Sequence, residues 1–122
     1  TMATHDGTAD YHIESFVSSD QAWHQELSFD SARKVRVCVE KLSGGPIYGF
    51  YVDETDFRPL RLGNVTDEIL DRVAQQQLFE NMTGCAELDV QFPAGKVYLC
   101  IELDCQSAPT AERAEFRLTL TP

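Results

Sequence analysis

The feature that most constrains this chain is a strict alternation of apolar and polar residues. In the stretch Val97 to Leu103 the apolar residues Val97, Leu99, Ile101 and Leu103 occupy every second position, with Tyr98, Cys100 and Glu102 between them. Side chains along a β-strand point to opposite faces in turn, so this is a strand with one face in a core. A helix would send residues two apart to opposite sides. The pattern recurs at Val35, Val37 and Val39, at Leu88, Val90 and Phe92, and at Ala114, Phe116, Leu118 and Leu120.

Turn-forming clusters separate these runs: Ser18-Ser19-Asp20, Asp30-Ser31, Ser43-Gly44-Gly45-Pro46 and Phe92-Pro93-Ala94-Gly95. Strands are expected over 11–17, 22–29, 33–42, 47–53, 86–92, 97–103 and 112–121, with Trp23, Leu27 and Phe29 sharing a face of the second. Residues 57–62 are a short edge strand at best, because Pro59 removes a ladder donor. Gly49 marks a bulge or a close backbone approach. The fold class is mainly β: an antiparallel, jelly-roll-like β-sandwich of seven or eight strands, each sheet with one wet face.

The segment 67–82 departs from the alternation. Thr66 is an N-cap, Asp67 and Glu68 place negative charge in a first helical turn, and Leu70, Val73, Ala74, Leu78 and Met82 recur at three- and four-residue steps before Gly84. One helix is expected there. Residues 1–10 read as a flexible lead, and 11–122 as a single domain, which suits a length of 122 residues.

Two arrangements of the late strands satisfy the pattern. If 86–92 and 97–103 pair as a hairpin, Phe92 opposes Val97 and Leu88 opposes Ile101, and Cys85 falls opposite Asp104, within reach of a disulfide to Cys105. If the two strands cross to opposite sheets, both apolar faces still point inward and that bridge loses its geometric basis. Cys38 and Cys100 lie on outward faces, and bridge only if their strands are neighbours.

The net charge is −10. It excludes a phosphate-neutralising nucleic-acid surface and attraction to anionic membranes. No apolar run is long enough to insert in a membrane. Four cysteines in a small β-protein, together with asparagines only at Asn64-Val65-Thr66 and Asn81-Met82-Thr83, both glycosylation acceptor sequences, point to an extracellular or lumenal/periplasmic setting.

The order of elements from Trp23 onward resembles GOLD-type and pre-peptidase-C-terminal-type β-sandwiches. The resemblance is carried by Lys34-Val35-Arg36-Val37-Cys38-Val39, by Gly44-Gly45-Pro46-Ile47-Tyr48-Gly49-Phe50-Tyr51-Val52, by Phe92-Pro93-Ala94-Gly95-Lys96-Val97-Tyr98-Leu99, and by Phe116-Arg117-Leu118-Thr119-Leu120. It implies a non-catalytic module used for protein or ligand contact. The immunoglobulin fold fits less well: Tyr98-Leu99-Cys100 matches its Tyr-x-Cys strand, but Cys38 shares a face with Arg36 and Glu40, and Trp23 precedes both cysteines.

Chemistry is sparse. His5, His12 and His24 are scattered and lack metal-ligand spacing. No nucleophile-elbow, phosphate-loop or dinucleotide motif is present, so no catalytic residue, metal site or cofactor is assigned. Asp53, Glu54 and Asp56 form the best acidic cluster and are the candidates should calcium bind; Asp104 joins them only if the loops converge. Tyr51, on the face opposite Tyr48, Phe50 and Val52, is expected to point outward as a contact residue. The expected function is protein–protein recognition by a non-catalytic module. The alternative is a calcium- or carbohydrate-binding accessory module of a larger secreted system.

Overall fold

A computed structural model describes residues 4–104 and 110–122. Among these, nine strands and two helices follow one another as β1 (His5–Asp6), β2 (Tyr11–Ser18), β3 (Trp23–Phe29), β4 (Arg33–Gly44), β5 (Ile47–Asp53), α1 (Glu54–Leu62), α2 (Asp67–Gln75), β6 (Gln77–Met82), β7 (Cys85–Phe92), β8 (Gly95–Leu103) and β9 (Arg113–Thr121). They form two sheets, β1-β3-β8-β5-β6 and β2-β9-β4-β7. Apart from the short parallel pair of β1 with β3, the ladders are antiparallel. The chain is a β-sandwich, as the alternation requires.

Every connection between consecutive strands passes from one sheet to the other, except that from β5 to β6. This decides the arrangement of the late strands. β7 pairs with β4, whereas β8 lies between β3 and β5 in the other sheet. The hairpin of β7 with β8 is therefore not formed, and the corner crossing is. Both apolar sets still reach the core, because each strand turns its alternate residues toward the opposing sheet: Val90 and Phe92 from one side, Val97, Leu99 and Ile101 from the other. Cys85 sits opposite Glu40 as an exposed free thiol. Cys105, the other half of the expected bridge, lies outside the described residues.

The strand expected over 57–62 is a helix. Asp53 caps α1 by accepting the Asp56 N–H at 2.9 Å. The helix ends at Gly63, whose φ of 79° lets its N–H reach the Leu60 carbonyl while the Asn64 N–H reaches that of Pro59. Pro59 sits inside this helix and not on an edge strand.

The single helix expected over 67–82 is half right. Thr66 caps α2 by accepting from the Ile69 N–H, but the helix stops at Gln75 and residues 77–82 become β6. The inner face carries Ile69 and Val73; Leu70 is exposed. β6 forms because β5 offers it an open edge, and its pairing places Phe79 opposite Gly49. A side chain at Gly49 would come within 2.5 Å of the Phe79 ring, so the glycine does mark a close approach, and the ladder shifts register beside it.

The expected flexible lead contributes β1. His5 and Asp6 pair with Leu27 and Ser28, the Gly7 N–H donates to the Ser28 carbonyl at 2.7 Å, and the Phe29 ring fills the space a side chain at Gly7 would need.

Candidate functional site

The two outer faces of the sandwich differ, and the site lies on one of them. On β5 the residues Ile47, Gly49 and Tyr51 face the opposing sheet, and Tyr48, Phe50 and Val52 face outward. On β8 the outward set is Tyr98, Cys100 and Glu102, and on β3 it includes His24 and Glu26. This face is not wet along its length. The pair α1 and α2 packs on it and closes a second small core, in which Phe50, Val52 and Cys100 are buried and Phe57, Leu60, Val73, Tyr48 and Tyr98 are half-buried.

Two contacts hold the helices there. Asp56, only 3% exposed, receives two bonds from the Arg72 guanidinium, at 2.6 Å and 2.8 Å, so α1 and α2 are clamped by a bidentate ion pair. That bond holds the Asp56 carboxyl below the usual aspartate range. Phe57 lies flat on Tyr98, ring centroids 3.8 Å apart and planes 2° from parallel. The Tyr98 hydroxyl donates to Glu26 at 2.6 Å, and this bond, with burial and the charges of Glu26 and Glu54 adding, pushes the phenol up to about 12. Thr4 donates to the same carboxylate.

Beyond the helices the face opens into a groove with two continuous parts. One, about 310 Å³, is walled by Trp23, His24, Phe50, Phe57, Leu60 and Cys100, with Arg61 at its edge. The other, about 640 Å³, lies between the loop of residues 18–22 and β6, and carries the carboxylates of Asp20, Glu80, Glu102 and Asp104. Asp20, Gln21, Ala22 and Glu102 belong to both. Among the described residues no lysine or arginine lines the larger part. Burial pushes the Glu102 carboxyl up, and a hydrogen bond with Tyr48 partly offsets this. Asp104 accepts the Asn81 N–H at 3.0 Å, and its own N–H donates to the Pro46 carbonyl.

The groove also contains a candidate nucleophile–base pair. Cys100 and His24 are directly opposed on β8 and β3. Their electrostatics run against catalysis. Burial and the Glu102 charge push the thiol up, and it donates weakly to the Tyr98 carbonyl. Burial and the Arg61 charge lower the imidazole. Both shifts run away from an activated thiolate–imidazolium pair.

The residues singled out from the sequence fall elsewhere. Tyr51 turns inward, its ring edge-on to buried Phe92 at 5.1 Å, which corrects its assignment as an outward contact. Asp53 is a helix cap, Asp56 is engaged with Arg72, and Glu54 is exposed in the first turn of α1. Asp104 does not join them: Asp53 pairs with Val97 at one end of the β5–β8 ladder, and Asp104 follows Leu103, which pairs with Ile47 at the other. Among the described residues no group of three or more His, Cys, Asp or Glu is placed to hold a metal ion. Asn64 and Asn81 are both exposed; Asn81 adopts a φ of 45° at the end of β6.

The groove residues come from five separate elements, the β2–β3 loop with β3, β5, α1, β6 and the end of β8, so their spacing in the sequence does not reveal them. One signal did point to it. The run Ile47-Tyr48-Gly49-Phe50-Tyr51-Val52 is apolar on both faces, which marks a strand covered on both sides.

No protein-family model matches the sequence, and neither does the sequence of any curated protein. Solved structures share the fold, two of them as follows. The pre-peptidase C-terminal domain of collagenase from Bacillus anthracis aligns with a TM-score of 0.61 at 12% identity, covering 99% of this chain and 97% of that one. PliG of Aeromonas hydrophila, a periplasmic inhibitor of g-type lysozyme, aligns with a TM-score of 0.57 at 11% identity, covering 98% and 96%. The β-sandwich resemblance drawn from the strand and turn order thus holds for the pre-peptidase C-terminal domain across the whole chain.

Proposed function

We propose that the chain is a non-catalytic recognition module that binds another protein through the groove beside α1. The observation that carries this is the groove itself: a concavity of two continuous parts, the smaller mainly apolar and the larger acidic, on a sandwich whose other outer face carries exposed ion pairs and a smaller hollow beside Phe16 and Leu42. The unactivated Cys100–His24 pair argues against nucleophilic catalysis in it. A protein of the same fold that inhibits a lysozyme supports a protein-binding role. A setting outside the cytosol is part of the proposal. It draws on the periplasmic inhibitor and on the exposure of both Asn64 and Asn81. Among the described residues no helix is long and apolar enough to cross a membrane.

The test uses three immobilised proteins: the native chain, Ala22→Trp, which fills the rim shared by both parts of the groove, and Arg36→Glu on the opposite outer face. Proteins retained from the secreted or periplasmic fraction of the source are identified by mass spectrometry. A partner held by the native chain and by Arg36→Glu, and lost with Ala22→Trp, is the expected result. A retained set that is the same for all three proteins overturns the groove as the binding surface.

A further inference from the structure

We infer that the occupant of the groove is an extended peptide segment that places a large apolar side chain in the Trp23–Phe57–Cys100 cavity and a lysine or arginine, two residues away, among Asp20, Glu80, Glu102 and Asp104. This rests on the recognition reading above and deepens it.

Three observations fix the occupant's chemistry. The smaller cavity has walls from Trp23, Phe50, Phe57, Leu60 and Cys100, which can cover one apolar side chain, with the polar groups of Asp20, His24, Arg61 and Glu102 also in its lining. Among the described residues the larger has four carboxylates and no lysine or arginine in its lining, on a chain of net charge −10; Asp104 and Glu102 already accept from the Asn81 N–H and Tyr48, and the added charge that the lining favours is a cation. A bound ammonium or guanidinium would also relieve the charge that burial makes costly at Glu102.

The spacing fixes the occupant's form. Cys100 lines the apolar part, Glu102 lines both, and Asp104 lines the acidic part. Outward-facing residues of one strand repeat about every 6.8 Å. The two parts are therefore offset by about one such repeat. An extended peptide lying over the outer face of β8, parallel to that strand, has the same repeat, so its side chains at positions i and i+2 fall one in each part. Adjacent residues would point to opposite sides of the peptide, and only one of them would enter the groove.

The test titrates the isotope-labelled full chain with capped pentapeptides and follows amide and Trp23 indole shifts by NMR. The probes are Gly-Phe-Gly-Arg-Gly, Gly-Ala-Gly-Arg-Gly, Gly-Phe-Gly-Glu-Gly and Gly-Gly-Phe-Arg-Gly. The expected result is shifts at Trp23, Glu102 and Asp104, with the Phe-Gly-Arg peptide binding about tenfold more tightly than each of the other three. One charge-assisted bond to a half-buried carboxylate is worth that much. The double variant Asp20→Lys/Glu80→Lys changes two exposed residues and leaves the fold intact. It should remove the arginine preference while the phenylalanine shifts persist. Equal binding of the arginine and glutamate peptides, or of the spaced and adjacent pairs, overturns the inference, as does the absence of groove shifts with every peptide. Free arginine methyl ester giving the same shifts and affinity as the peptide also overturns it, in favour of a small-cation site. These failures differ from failure of the recognition reading, in which Ala22→Trp leaves protein capture unchanged.

Discussion

On the outer face of the β2-β9-β4-β7 sheet, charged side chains meet across the strands in register. Arg36 reaches Glu87 at 2.6 Å and Asp89 at 2.9 Å, and Arg117 lies between Glu14 at 2.7 Å and Glu40 at 3.2 Å. On the outer face of the other sheet, the equivalent positions of β5 and β8 carry Phe50, Val52, Tyr98 and Cys100, and two helices cover them. The inward faces of the two sheets are alike. The difference lies in what the alternate positions hold. A row of exposed ion pairs needs nothing above it. A row of aromatic and aliphatic side chains does, and the chain supplies α1 and α2 between β5 and β6 to meet that need. The groove exists because this cover is partial: the helices shield the Asp53 end of the face and leave the Asp104 end open.

If the helix-covered face is a true second core, truncation there should cost as much as in the sandwich interior. Phe50 is 1% exposed and packs beside Tyr48, ring centroids 5.9 Å apart. Phe50→Ala should lower unfolding free energy by about 3–5 kcal/mol, the range for buried aromatic truncation. Urea denaturation measures it. A loss below about 1 kcal/mol would mean that the helices rest on the sheet without packing and that the two outer faces are energetically alike.

The next effect concerns the clamp between the helices. Removing Arg72 leaves the Asp56 carboxylate, which is buried, without its partner; Arg72 itself is 46% exposed and loses little when Asp56 is removed. Arg72→Ala should therefore destabilise by about 2–3 kcal/mol, somewhat less than a fully buried pair, and more than Asp56→Ala. The pH dependence has a definite sign. The folded Asp56 pKa lies below its ordinary value of 3.8, so the pair stabilises the native state above that value and ceases to as the pH falls through the folded pKa. The gap in melting temperature between the native chain and Arg72→Ala should be full at pH 6 and should close in strong acid. A gap that is unchanged at low pH would show that Arg72 acts through packing alone.

The same contrast explains what could be read from the sequence. The strands of the charge-paired sheet were legible because each alternates cleanly and the outward partner is water or an ion pair. The helix-bearing sheet was legible only on its inner face. Asp53 and Gly63 carry the cap and stop signals of α1, but Pro59 between them favours an edge strand; its cost of about 3 kcal/mol in a helix interior is outweighed here by tertiary packing and by the caps at both ends. Leu78 and Met82 continued the helical period of α2, and pairing with β5 outweighed that local preference. The groove was not legible. Asp20, Glu80 and Asp104 become neighbours only through the corner crossings of the sandwich, and sequence spacing carries no trace of such contacts. The acidic cluster that was visible, Asp53-Glu54-Asp56, was a helix N-terminus, where carboxylates stabilise the exposed N–H groups of the first turn.

The smallest effect tests the wet face. Arg117 touches two carboxylates on neighbouring strands, but its side chain is 40% exposed and theirs are 54% and 50% exposed. Water screens such pairs, and ordering three long side chains offsets much of the attraction. Arg117→Ala should cost less than about 1 kcal/mol, and the cost should shrink further in high salt. A cycle with Glu14→Ala separates the pair from the general loss of a strand residue, because Glu14 and Arg117 are register partners on β2 and β9. A coupling above about 2 kcal/mol that salt does not weaken would show that the lattice is a stabilising network in its own right, and the two faces would then differ in chemistry but not in energetic weight.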